Sequence, residues 1–157
     1  MIRSRGQSVL YAVLLMPTLI LVFALAVDMA GLQMQRLRLR YAVDLATVTA
    51  ATGVDAPYYS RTGLLQLDPD AAAATAREYL VRNLAGMPDI EAPATIAAAA
   101  DITIVNRTPA IDPYTGGRLD RPAICARIRT PHRFMLLGWI GLNEVQLTIA
   151  ADAEIRP

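Results

Sequence analysis

The chain has 157 residues, 15 basic and 14 acidic side chains, a net charge of +1, one histidine and one cysteine. That near-neutral balance does not favour a nucleic-acid partner, and a lone cysteine makes no internal disulfide. The length accommodates one membrane span plus one small domain rather than two domains.

Residues 1–8 form a short basic tail containing Arg3 and Arg5. Val9 to Val27 follows without a single charge, with Pro17 inside it. Nineteen residues at about 1.5 Å each reach roughly 28 Å, close to the roughly 30 Å hydrocarbon core of a bilayer. The run is longer than the apolar core of a cleaved secretory signal, and no small-residue cleavage site closes it. It reads as a retained transmembrane helix, 9–27, anchored by Val9, Pro17 and Val27, with proline tolerated there. Basic residues flank both ends, Arg3 and Arg5 before it and Arg36, Arg38 and Arg40 after it, so charge alone does not orient it. The short tail fits the cytoplasmic side, with the remainder outside a bacterial cytoplasmic membrane as a single-pass protein.

The helical pattern continues past Asp28. Residues 28–53 read as an amphipathic extension of the same helix, with one long helix over about 7–52 and Gly53 as its carboxy-terminal cap. Its apolar face needs a cover. Leu37 and Leu45 are the candidate partner-packing residues on it. Residues 54–157 form the expected outer domain. Within it, 54–68 reads as a loop. Asp68-Pro69 opens a second helix, since Asp caps free amides and Pro suits the first turn. That helix runs to Ala85 with an apolar stripe of Ala73, Ala76, Leu80 and Leu84 and a Glu78–Arg82 surface pair.

Strand patterns come next: Asp101–Asn106, Ala123–Thr130, and a clean period-two segment from Glu144 to Arg156. Residues 108–122, with three prolines and Gly116-Gly117, read as a long turn. An antiparallel sheet of about three strands, packed on the long helix and the second helix, buries every apolar stripe. The fold class is therefore α+β. Phe134–Leu142 is too short to span. It either fills the core or presents an apolar contact patch through Phe134, Trp139 and Ile140.

No catalytic constellation is visible, and no enzyme activity is expected. His132 is the one histidine and reads as a surface residue rather than a ligand. Cys125 reads as a small buried hydrophobe, with pairing between chains as the alternative. Asp112–Gly117 has turn chemistry rather than the spacing of a calcium loop. Asn106-Arg107-Thr108 matches a glycosylation acceptor. No cofactor, metal, nucleic acid or small-molecule substrate is expected; membrane lipid and other protein subunits are.

Arg5-Gly6-Gln7-Ser8, an apolar run with Pro17, and Asp28 at its far end resemble the amino terminus of TadE/TadG-like proteins of the Tad (tight adherence) branch of type IV pilus machinery. Gly138–Asn143 followed by Ala150–Ala153 resembles their far end. The resemblance implies a pilin-like fold and a structural or assembly role, as a minor pilin or pseudopilin, among other pilus subunits. It also implies a prepilin peptidase site between Gly6 and Gln7. Tyr11 stands where pseudopilins carry glutamate, so poor cleavage is expected, as is a minor rather than a repeating subunit role. A single-span surface binding module acting alone is the competing reading.

Overall fold

A computed structural model describes residues 4–155, with side chains from Tyr11 onward. The chain orders as α1 (Ser4–Ala50), α2 (Ala56–Thr62), α3 (Pro69–Ala85), α4 (Pro93–Ala98), β1 (Asp101–Val105), β2 (Ala110–Ile111), β3 (Arg118–Leu119), β4 (Ala123–Arg133), a 3-10 turn (Leu137–Ile140) and β5 (Glu144–Glu154). This is the expected α+β class: a long amino-terminal helix, further helices and a three-stranded antiparallel sheet.

α1 is one uninterrupted helix with Pro17 inside it. Its start, Ser4, falls three residues before the expected one. Residues 51–53 turn off its end, where the Gly53 N–H donates to the Ala50 carbonyl at 3.1 Å. From Tyr11 the helix is long and apolar enough to cross a membrane, and little of its most apolar stretch is covered by protein.

The chain divides into two compact units. One runs to Met34 and takes in His132–Val145; the other comprises Gln35–Pro131 and Gln146 onward.

In the second unit, the sheet order is β1-β4-β5. β1 pairs antiparallel with β4, Asp101 opposite Arg127 and Val105 opposite Ala123. The Arg127 guanidinium binds the Asp101 carboxylate across that pair at 2.7 Å. One core joins Ala50 and Ala51 of the long helix's end to Ala72 and Ala76 of α3, Ile124 of β4 and Ala153 of β5. The helices thus cover one face of the sheet, as the apolar stripes require.

Several local expectations are refined here. The 54–68 segment is not all loop: Asp55 caps α2 by accepting the Tyr58 N–H, and Gly63, at φ 70°, ends it in a left-handed conformation that favours glycine. The buried stripe of α3 is Ala72, Ala76, Leu80 and Leu84, so Ala72 replaces Ala73. A strict spacing of four keeps one line of the helix against the core. Asp68 caps this helix as expected, accepting from Asp70 and Ala71 at 3.0 and 3.1 Å. The long turn holds a second small sheet, β2 with β3. It lies over the other face of β4, where Leu119, Ala123 and Cys125 form a core with Val105 and Tyr114 packed on it. Ala123, Ile124, Cys125 and Ala126 are therefore all buried. The alternation expected along β4 holds its two faces apart but leaves neither of them in solvent at that end.

Candidate functional site

The candidate surfaces come from two places: the outer length of α1 in the larger unit, and the β4–β5 loop in the smaller one.

Along residues 35–50, α1 carries two apolar stripes. Leu39, Ala42, Val43, Ala46 and Ala50 are fully buried or nearly so. They recur at spacings of three and four, which places them on one helical face. The side chain of Asn83 in α3 reaches this face of the unit, donating to the Ala42 carbonyl at 3.2 Å. The second stripe is Leu37, Tyr41, Leu45 and Val48, again at spacings of three and four. All four are exposed, Leu37 at 66% and Leu45 at 38%. Leu37 and Tyr41, with Arg38, Asn83, Gly86 and Met87, line a shallow groove. Both residues singled out as partner-packing thus sit on the uncovered stripe. The residues that hold the domain, led by Leu39, are one or two positions away.

In the smaller unit, Asp28 is buried although it follows directly on the apolar run. Its carboxylate accepts the backbone N–H groups of Met135 at 3.0 Å, Leu136 at 3.0 Å and Leu137 at 2.6 Å. Burial pushes the Asp28 carboxyl up, but the three backbone donors and the charge of His132 outweigh it and hold its pKa below the ordinary carboxylate value. An ionised side chain therefore ties this loop to the helix. The loop tip turns through Leu137–Ile140, and Gly141 closes it at φ 90°, where a side chain would be strained. Leu137 is buried. Phe134 is half-buried, Ile140 is exposed, and Trp139 is 89% exposed. Core filling thus describes Leu137 alone, and most of the segment is an apolar surface. His132 packs edge-on against Phe134, ring centroids 5.4 Å apart.

The remaining sequence candidates are structural in position. Asp112 is buried and closes its turn by accepting the Tyr114 N–H at 2.7 Å and the Thr115 hydroxyl. Cys125 is buried beside it, and burial with the Asp112 charge pushes its thiol up to about 12. Such a thiol is neither a nucleophile nor placed to pair with another chain. Partial desolvation and the Asp112 charge also push the Asp152 carboxyl up. The Asn106 side chain accepts from the Leu67 N–H and donates to the Leu67 carbonyl, both at 2.9 Å. Its amide is thus engaged within the fold rather than offered as an acceptor for sugar. Among the described residues, no three of His, Cys, Asp and Glu gather as a metal site would require. Gly6, Gln7 and Val9 precede Tyr11, the first residue described beyond its backbone. Pro17 and Val27 lie within α1.

Sequence reasoning did not find two of these features. In the sequence Asp28 marks the far end of the apolar run, and nothing local points to a loop over a hundred residues away. Asn106 reads as a strand end and part of a short motif, and nothing local points to Leu67.

These features define a class: among the described residues, one helix long and apolar enough to cross a membrane, and a small α+β domain that includes the continuation of that helix. Residues 6–53 match the family model described as "Putative Flp pilus-assembly TadE/G-like". Over that segment, most of which is the long helix, the chain is similar to the family read from Gly6, Pro17 and Asp28. The likeness read in Gly138–Ala153 lies outside the matched residues. Neither the curated proteins nor the solved structures include a match to the chain.

Proposed function

We propose that this protein is a non-enzymatic assembly component of a Flp/Tad-type pilus, minor pilin-like or pseudopilin-like. In this reading Val9–Val27 crosses the cytoplasmic membrane once, with the outer domain on the extracytoplasmic side. The observation that carries it is the coincidence of the family match, residues 6–53, with α1, Ser4–Ala50. The matched part is the element that would enter the membrane and meet other subunits.

The stripe of Leu37, Tyr41, Leu45 and Val48 is the docking face for a second pilin-like helix. Its exposure supports this, because apolar side chains at helical spacing gain about 25 cal/mol per Å² when a partner removes them from water. Inside the bilayer that gain vanishes, and close helix packing takes over. Tyr11, in place of an acidic residue, makes processing after Gly6 poor.

The test is to make Leu37→Asp and Leu45→Asp in the full chain, in cells. Both variants keep the domain folded, lose co-purification with other pilus subunits and reduce piliation. Folded variants that co-purify and build pili normally would overturn the assembly reading and favour the solitary anchored module.

A further inference from the structure

The loop between β4 and β5 is uncharged from Phe134 to Asn143. Its outward side chains are Met135, Trp139, Ile140 and Leu142, all exposed. Isolated exposed apolar residues are ordinary, but four large ones on one short turn form a patch.

Three observations bear on what covers it. The loop is tied through Asp28, the first residue beyond the uncharged run. Ala24 and Val27, within that run and on the same face of the helix as Asp28, are partly covered, whereas every residue from Tyr11 to Phe23 is exposed. Cover on this unit therefore extends back along the last turn of the apolar segment. The loop's amide donors are also largely satisfied. Asp28 takes those of residues 135–137, Trp139 and Leu142 bond back to Leu136 and Leu137 at 3.2 Å, and Gly141 bonds back to Gly138. Backbone near a bilayer core needs such internal partners.

Distances agree. Trp139 is two residues from Leu137, so its Cα lies within about 8 Å of that residue's. The polar layer on each side of a bilayer is about 5–7 Å thick, and tryptophan is enriched there.

We propose that the β4–β5 tip is a second membrane contact, a wedge that places Met135, Trp139, Ile140 and Leu142 in the interfacial layer of the leaflet from which α1 emerges. This rests on the reading of Val9–Val27 as a span. The occupant is lipid rather than a second copy of the chain, because the loop is tied to the residue at which the uncharged run ends, which sets its exposed apolar side chains beside the membrane edge.

Trp139 is the one tryptophan in the chain, so its fluorescence reports this site without labelling. The full-length protein is reconstituted in vesicles of phosphatidylcholine and phosphatidylglycerol, with or without bromine on the acyl chains. Trp139 emission is expected to be blue-shifted, shielded from acrylamide, and mostly lost when bromine sits near the headgroup end of the chains. The result should not depend on the protein-to-lipid ratio. An Ile140→Asp, Leu142→Asp double variant is expected to restore acrylamide access and abolish the bromine effect while staying in the membrane fraction. Emission that is open to acrylamide and blind to bromine, in a chain that resists carbonate extraction, would overturn the wedge and leave the anchor standing. Shielding that appears only at high protein density would assign the patch to a second copy and equally overturn it. Release by carbonate would remove the anchor reading and the wedge together.

Discussion

Leu39 and Leu37 are two residues apart on the same helix, and the structure assigns them opposite duties. Leu39 is 0% exposed and Leu37 66%. Leu39→Ala removes about three carbons from a sealed site. At about 0.8 kcal/mol per buried methylene, transfer alone costs roughly 2.4 kcal/mol. The cavity left behind raises the expected loss to about 2–5 kcal/mol. Against a total stability of about 5–15 kcal/mol, that is a large fraction. For a domain of this size, each kcal/mol moves the melting temperature by about 4 °C, so a drop of about 8–20 °C is expected. Leu37→Asp breaks no buried contact and should change stability by no more than about 0.5 kcal/mol. The assay is thermal unfolding of the full chain in detergent, followed by circular dichroism, with a denaturant titration to check the slope. If Leu39→Ala shifts the midpoint no more than Leu37→Asp does, the assignment of the two stripes is wrong, and the docking face on α1 must be redrawn.

Other consequences follow from the buried polar groups. Asn106→Ala removes both bonds to the Leu67 backbone and leaves a buried N–H and carbonyl unmet, for an expected loss of about 2–3 kcal/mol in a denaturant titration; Asn106→Asp, which keeps the acceptor but not the donor, should not restore it. Asp152 is exposed as a residue, but partial desolvation of its carboxyl and then the Asp112 charge make it hold its proton to higher pH in the folded chain than in the unfolded one. Its ionisation therefore works against folding: the penalty is absent where both states are protonated, grows as pH rises past the unfolded carboxyl value, and is full above the folded one. Asp152→Asn should raise the melting temperature at neutral pH and lose that advantage in strong acid; an advantage that grew on acidification would refute the pairing with Asp112. Cys125, buried and with its thiol pushed up to about 12, should resist maleimide in the native chain and react fully on unfolding.

The features legible in the sequence are those whose energetics are local. The uncharged run of Val9–Val27 is decided by length and transfer free energy alone. Asp68-Pro69 announces its helix because the carboxylate meets amides two and three residues on. In β5, Leu147, Ile149, Ala151 and Ala153 are buried while Gln146, Thr148 and Asp152 are exposed, because a period of two sends alternate side chains to opposite faces. The short helix α2 is not legible locally: Pro57 and Gly63 read as loop, and they are its first turn and its cap. At the candidate site, the sequence places Leu37 and Leu45 on the apolar part of α1 and leaves the Trp139 segment open between core and surface.

Tertiary structure decided the rest, because those choices depend on which distant segment arrives. Residues 35–50 of α1 carry two apolar stripes of similar character, and periodicity cannot say which one the domain takes. The Leu39–Ala46 stripe is buried, with Asn83 of α3 reaching the Ala42 carbonyl, and the Leu37–Val48 stripe is left open. The 108–122 segment turns β4 into a strand covered on both faces, through contacts between Leu119, Tyr114 and Cys125 that no local pattern encodes. Asp28 becomes the anchor of a loop 107 to 109 residues away because its carboxylate finds three backbone donors there. A carboxylate's charge is written in the sequence; the amides that satisfy it are brought together only by the fold.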